Sequence, residues 1–329
     1  MTSILTVDRL TKYFPLRSSP IDMLRHRATR KIHAVDEVSF VVNQGEVFSL
    51  VGETGSGKTT IGKMLVRLIH PTKGVITFEG RKINELEGEH LKEFRANVQM
   101  VFQDPFASLN PRMTVGDIIG LPLKIHRRDI DVDQAVIELM DKVGLSPPSG
   151  MIDRHPHEFS GGQRQRIGVA RAIALNPKLV VADEPVSSLD VSIRAQILNL
   201  LLRLKKEMNL TYILIAHDLS VVRHVSDWVM VLYMGKTMEL ARTEEMFSNP
   251  KHPYTRALMS SVPVPDPKLA RQRMRLIGEP STPVDPPPGC RFVTRCPIKG
   301  SLCTHANAEG PHLVAVTKDH FVACHQPLD

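Results

Sequence analysis

The stretch "VGETGSGKTT" (51–60) constrains this chain more than any other. An apolar run, "EVFSLVG" (46–52), enters it and a helix-forming segment leaves it. It fits the spacing G-x-x-x-x-G-K-[ST], from Gly52 through Gly57, Lys58 and Thr59. Glycine lets the backbone curl, so that successive N–H groups point at phosphate oxygens, and the helix start adds partial positive charge. Gly52, Glu53, Thr54, Gly55, Ser56, Gly57 and Thr60 are therefore candidate nucleotide contacts. Lys58 is placed to reach the β- and γ-phosphates, and the Thr59 hydroxyl to bind Mg²⁺.

Other apolar runs follow at "NVQMVFQ" (97–103), "KLVVAD" (178–183), "TYILIAH" (211–217) and "WVMVLYMG" (228–235), with helical stretches between them. Such alternation predicts an α/β fold with a largely parallel or mixed sheet. Residues 104–165 hold Pro, Gly and helical pieces without a clear strand, and read as a helical insert. Ten of the 24 prolines lie between 250 and 288, which predicts a stiff, extended linker. The natural division is 1–248 and 249–329. Residues 15–33 form a basic stretch, read as a solvated insertion or as a contact for lipid or a partner.

A second apolar strand ends in acid at "LVVADEP" (179–185). Asp183 at its carboxyl end suits Mg²⁺ held through water. Glu184 can polarise an attacking water, although a surface acid at a strand end has the same look in isolation. "SGGQ" (160–163) opens the helix "QRQRIGVARAIAL" and offers a hydroxyl and bare N–H groups at its positive end. An ordinary helix cap is the plainer reading. Beside the first loop, it makes a second anion site.

The stretch "HEFSGGQRQR" (157–166) resembles the signature motif of ATP-binding cassette (ABC) proteins, with Ser160, Gly161, Gly162 and Gln163 as its core. Gln103 in "VFQDP" resembles the family's Q-loop glutamine, Asp190 in "SSLD" its D-loop aspartate, and His217 in "LIAHDLS" its switch histidine. Phe14 in "LTKYF" stands where the family places an aromatic under adenine, with Tyr13 as the neighbouring candidate. The resemblance implies two cassettes that bind head to tail and sandwich ATP between the phosphate loop of one and the SGGQ helix of the other. It implies Glu184, His217, Lys58 and Gln103 as the catalytic set, and Thr59, Gln103 and Asp183 around Mg²⁺.

"FQDPFASLNPRMTV" (102–115), "DEPVSSLDVSIRAQILNLL" (183–201) and "NPKHPYTRALMSSVP" (249–263) resemble one branch, the ATPase subunits of dipeptide and oligopeptide importers. That implies a paralogous ATPase partner, two transmembrane permease subunits and an extracellular solute-binding protein, with this chain peripheral on the cytoplasmic side of the membrane. Importers of oligosaccharides or nickel complexes share the branch, and an ATPase subunit does not touch the solute.

Composition narrows the classes further. No run of about 18 residues is apolar and uncharged, so no membrane-spanning helix is expected, and the N-terminus lacks a signal-peptide pattern. The net charge of +7 permits nucleic acid, anionic lipid or a phosphorylated ligand. Soluble ABC ATPases of nucleic-acid metabolism usually carry two cassettes or a long coiled-coil insertion, which this chain lacks, so nucleic acid is not expected as a partner. A P-loop kinase leaves the SGGQ helix without a role.

All four cysteines lie near the C-terminus, spaced C-x5-C-x6-C-x20-C at Cys290, Cys296, Cys303 and Cys324. In a reducing cytosol, clustered thiols favour a metal over disulfides. Zinc sites usually show close C-x2–4-C pairs, whereas wider spacing suits an iron–sulfur core. The importer branch often carries such a tail, similar to a [4Fe–4S] site. Zinc, with His305, His320 or His325, and unligated thiols or a disulfide are the alternatives.

Overall fold

The computed structural model describes residues 2–16, 30–127, 129–187, 189–260, 274, 276, 278, 282–286, 289–304 and 310–329. Most of the basic stretch at 15–33 and much of the proline-rich segment lie outside the described residues. The strands are β1 Ser3–Pro15, β2 Lys31–Asn43, β3 Val47–Val51, β4 Lys73–Phe78, β5 Arg81–Lys82, β6 Val98–Val101, β7 Leu179–Asp183, β8 Thr211–Ala216, β9 Trp228–Tyr233, β10 Lys236–Arg242, β11 Val314–Thr317 and β12 His320–Val322. The α-helices are α1 Lys58–Leu65, α2 Gly88–Asn97, α3 Pro105–Ser108, α4 Val115–His126, α5 Val132–Lys142, α6 Gly161–Ile173, α7 Val191–Met208, α8 Leu219–Val225, α9 Thr243–Ser248, α10 Pro253–Ser260 and α11 Ser301–Thr304. The chain divides into two compact units, one of residues 1–2, 43–47 and 82–216, the other of residues 3–42, 48–81 and 217–329.

The first unit holds the parallel strands in the order β8-β7-β6. Every residue of β7 and β8 is buried. Continuous apolar runs of this kind suit a parallel strand covered on both faces. The insert expected at 104–165 is helical, with α3, α4, α5 and short 3₁₀ turns at 148–150 and 156–158. Its helices start where side chains cap them. Asp104 accepts from the Phe106 N–H, Thr114 from Asp117 and Asp131 from Asp133 and Gln134.

The second unit holds two sheets. Strands β2-β1-β4-β5 form one, with β1 antiparallel to β4 and a register shift between Asp8 and Thr11. In the other, β3 runs parallel to β9, β9 pairs antiparallel with β10, and β12 and β11 extend it antiparallel. Beyond the proline-rich linker, the described part of the C-terminal segment is built onto the sheets. His320–Val322 is hydrogen-bonded onto β10, and residues 283–285 pair with the start of β2 through His33 N–H to Pro283 O and Asp285 N–H to Lys31 O. Its apolar anchor, Phe292, is 1% exposed.

Candidate phosphate site and cysteine-rich extension

Strand β3 delivers the phosphate loop and α1 receives it. Gly52 has φ 149°, and a Cβ there would lie 2.2 Å from the Leu232 carbonyl oxygen. Gly57 has φ 104°, and its Cβ would lie 2.2 Å from the Ala34 carbonyl oxygen. Both positions exclude a side chain, by backbone conformation and by close approach. Lys58 is 4% exposed, and its Nζ donates to Gly52 O at 2.7 Å, Glu53 O at 2.9 Å and Ser56 Oγ at 3.4 Å. The loop thus curls around its own ammonium group. No side chain caps α1 and its first turn holds no acid, which keeps the positive end open to an anion. Thr54 and Gly55 are exposed, Ser56 is buried, and Thr59 and Thr60 are half-buried.

The same unit carries Phe14 and His217. Tyr13 is committed elsewhere, because its hydroxyl donates to Asp36 Oδ1 at 2.6 Å and its ring lies 4.2 Å from that of His33. Burial and the Asp36 carboxylate push its phenol pKa upward. Phe14 is 38% exposed, with Lys12 Nζ 5.1 Å from its ring centre, and so keeps a face for a planar partner. His217 is exposed in the turn before α8, where Asp218 caps the helix by accepting from the Ser220 N–H at 2.9 Å.

The other unit carries Asp183, Glu184, Gln103, the SGGQ helix and Asp190. Asp183 is 3% exposed at the end of β7. Glu184 follows at φ 43°, an uncommon backbone for a residue with a side chain, and its N–H donates to Ile215 O at 2.9 Å. Gln103 Nε2 donates to Glu184 Oε2 at 2.9 Å, so two candidate residues far apart in sequence meet. Helix α6 opens with a capping box in which Gln163 N–H donates to Ser160 Oγ and Ser160 N–H donates to Gln163 Oε1. A Cβ at Gly162 would lie 2.6 Å from the Ile193 side chain on α7, whereas one at Gly161 would make ordinary contact with Leu189 at 3.4 Å. Asp190 is exposed at the N-cap position of α7 without a side-chain cap bond.

The four cysteines are free thiols, with Cys290, Cys296 and Cys303 buried and Cys324 half-buried. Among the described residues, no group of three or more His, Cys, Asp or Glu side chains is arranged to hold a metal ion. The expected four-thiolate centre is thus not seen as a formed metal site. The thiols nevertheless sense one another. Burial raises the Cys290 thiol to about 11, with added repulsion from Cys303, Cys324 and Cys296. Burial raises Cys324 to about 11, with repulsion from Cys296 and Cys303, and burial raises Cys296 as well. These thiols stay protonated unless a cationic group accompanies them. Of the histidines considered for zinc, His320 faces Glu239 at 2.6 Å, His305 lies outside the described residues, and the buried Nε2 of His325 has no hydrogen-bond partner.

Three residues of the extension lie within stretches that carry the resemblance, but nothing in the sequence assigns them their partners. Arg291 donates to Asp36 and to the Met234 carbonyl, Arg295 Nη1 donates to Glu53 Oε2 at 2.7 Å, and Tyr254 Oη accepts the Glu53 N–H at 3.0 Å. The arginines of "CRFVTRC" stand beside cysteines in the sequence, and only the fold gives them their partners.

Comparison with known proteins agrees with this geometry. Residues 35–187 match the ABC transporter family, and residues 238–303 match the C-terminal region of oligopeptide/dipeptide transporters. The chain is 50% identical over 328 residues to the oligopeptide transport ATP-binding protein AppF of Bacillus subtilis, covering 98% of this chain and 97% of that protein. It is 50% identical over 279 residues to the oligopeptide transport ATP-binding protein OppF of Salmonella typhimurium, covering 83% of each. A dimeric ATP-binding cassette solved in a post-hydrolysis state with ADP and Pi superposes with a TM-score of 0.63 at 27% identity, covering 73% of this chain and 98% of that one. Among the described residues, no helix is long and apolar enough to cross a membrane. The chain belongs to the ABC transporter family as an ATP-hydrolysing cassette subunit with an oligopeptide/dipeptide-type C-terminal region.

Proposed function

We propose that this chain powers an importer of dipeptides or oligopeptides from the cytoplasmic face of the membrane. The match of residues 238–303 to the oligopeptide/dipeptide C-terminal region, on a chain half identical to AppF along its length, carries this reading. In it, the chain pairs with a paralogous ATPase, docks on two permease subunits and serves an external solute-binding protein. The 1–248 segment acts as the cassette and 249–329 as the extension. The same two matches weigh against a nucleic-acid ATPase.

In the site, the loop from Gly52 to Thr60 holds the triphosphate, and Phe14 supports the base. Thr59, Gln103 and Asp183 are the residues that would hold Mg²⁺, which when bound neutralises charge on the phosphates. Lys58 supplies fixed positive charge, Glu184 accepts a proton from the attacking water, and His217 orients toward the terminal phosphate. Ser160, Gly161, Gly162 and Gln163 serve the partner's nucleotide, with Asp190 at the seam. The decisive experiment is uptake of a labelled pentapeptide into proteoliposomes holding this chain, its ATPase partner, the permeases and the binding protein. ATP-dependent accumulation that Lys58→Ala abolishes is the expected result. ATP-dependent uptake of a nickel chelate or an oligosaccharide, without peptide uptake, overturns the solute assignment.

We propose further that Cys290, Cys296, Cys303 and Cys324 hold a [4Fe–4S] cluster. Buried thiols within electrostatic reach of one another support it, since a cluster supplies the positive core that four thiolates need. Its role is structural, closing the segment that runs from Cys290 to Cys324. Anaerobic purification should yield about four irons and four acid-labile sulfides per chain. One zinc and no sulfide overturns the cluster.

A further inference from the structure

We propose that Tyr254 and Arg295, both in the C-terminal extension, are positioning residues for the phosphate loop. Both act through one loop residue, Glu53. The Glu53 N–H donates to Tyr254 Oη at 3.0 Å, and the Glu53 carboxylate accepts from Arg295 Nη1 at 2.7 Å. The extension therefore grips this residue by main chain and by side chain. The same residue supports the catalytic lysine, because Lys58 Nζ donates to Glu53 O at 2.9 Å and to Gly52 O at 2.7 Å. A displaced Glu53 backbone moves two carbonyl acceptors of Lys58, those of Gly52 and Glu53.

The anchors are rigid. Tyr254 is fully buried in the first turn of α10. Its ring packs against Tyr233 at 4.9 Å and Phe292 at 5.3 Å, and Phe292 meets Tyr233 edge-on at 5.3 Å. The helix start is fixed in turn. Tyr254 N–H donates to His252 Nδ1 at 3.0 Å, and the N–H groups of Lys251 and His252 donate to the Glu239 carboxylate at 2.7 and 2.9 Å. The His-Pro-Tyr segment thus presents one hydroxyl, at a set height, to the phosphate loop. Arg295 has 7% of its side chain exposed and lies 5.8 Å from the Tyr233 ring centre. It is brought there by the segment between Cys290 and Cys296, with Arg291 tied to Asp36 at the other end.

The charge balance gives the arrangement its consequence. Glu53 puts a carboxylate into a loop that must receive a polyanion. Arg295, itself largely buried, neutralises it at contact distance. Without Arg295 the carboxylate opposes the phosphates, and without the Tyr254 hydroxyl the loop N–H loses its acceptor.

This proposal rests on the reading of the loop as the ATP site, and the test separates the two. Affinity for a fluorescent mant-ATP is measured on the full chain with Lys58→Ala, Tyr254→Phe, Arg295→Ala, Glu53→Gln and Arg295→Ala with Glu53→Gln, beside the thermal midpoint of each. Tyr254→Phe keeps the ring, so the fold is retained, and Kd is expected to rise about fivefold, the loss of one hydrogen bond. Arg295→Ala is expected to weaken binding about tenfold, and adding Glu53→Gln to restore most of that loss, because the opposing charge is gone. The effect should fall on KM for ATP rather than on kcat. Wild-type affinity in Tyr254→Phe and Arg295→Ala, with binding lost in Lys58→Ala, overturns the positioning role alone. An Arg295→Ala defect that tracks the thermal midpoint and is not recovered by Glu53→Gln also overturns it. If Arg295→Ala does not fold, Tyr254→Phe decides. Unaltered binding in Lys58→Ala removes the ATP-site reading and this proposal with it.

Discussion

Glu239 Oε1 lies 2.6 Å from His320 Nε2, and neither side chain is exposed to solvent. The pair joins β10 to β12, where the C-terminal segment is hydrogen-bonded onto the sheet. The same carboxylate accepts the N–H groups of Lys251 and His252. One buried acid therefore ties together a strand, the start of α10 and the last strand of the chain.

Glu239→Ala should be severely destabilising. It leaves the buried His252 N–H, the part-buried Lys251 N–H and His320 Nε2 without their Glu239 partner. A cost of about 3–5 kcal/mol is expected for breaking such a buried network. Chemical denaturation measures it, and limited proteolysis should cut the extension first.

His252 gives the extension a defined acid sensitivity. Burial lowers its pKa to about 4, against an ordinary value of 6.5. Its neutral Nδ1 is the acceptor of the Tyr254 N–H, so protonation removes the helix cap. The unfolded chain takes up this proton below about pH 6.5 and the folded chain only near 4, so stability is complete above 6.5 and falls as pH drops between them. The full loss is about 3 kcal/mol. Thermal midpoints followed from pH 7.5 to 4 should fall less steeply in His252→Asn, which caps without titrating.

Gly52→Ala should abolish nucleotide binding. Its added Cβ sits 2.2 Å from the Leu232 carbonyl oxygen, a main-chain atom that cannot yield cheaply. A stability loss of about 2 kcal/mol or more is expected. Mant-ATP titration and a melting curve check both effects, and near-normal affinity would contradict the tight approach.

Glu184→Gln should retain ATP and lose turnover. Glutamine keeps an oxygen that can accept from Gln103 Nε2, so the local contact survives while the base is lost. A fall of about 10²–10⁴ in hydrolysis is expected. Phosphate release with the assembled partners measures it, and the variant should accumulate as an ATP-bound dimer by gel filtration. Activity near wild type would remove Glu184 as the base.

Cys296→Ser should loosen the extension more than it slows hydrolysis. Cys296 is 7% exposed and next to Arg295, so if it serves the proposed cluster, its loss frees the segment that holds Phe292. Protease sensitivity of the tail and ATPase rate are compared in one preparation. Unchanged protease resistance would sink the structural role.

The sequence alone determined the parts that depend on near neighbours. The glycine and lysine spacing of 52–59, the buried strands β7 and β8, the Ser160 cap and the acid pair at 183–184 all follow from rules spanning a few residues. The helical insert was legible for the same reason. The antiparallel sheet was not, because β1 alternates buried and exposed residues irregularly and its partner β4 is set by register, not by composition. The extension was legible as a His-Pro-Tyr stretch and a cysteine pattern, but not in its contacts. Its grip on the phosphate loop joins Glu53 to Arg295, 242 positions apart, and Asp36 to Arg291, 255 apart. No periodicity connects such positions. Tertiary folding brought them together because buried charges and N–H groups must find partners, and these were the ones within reach.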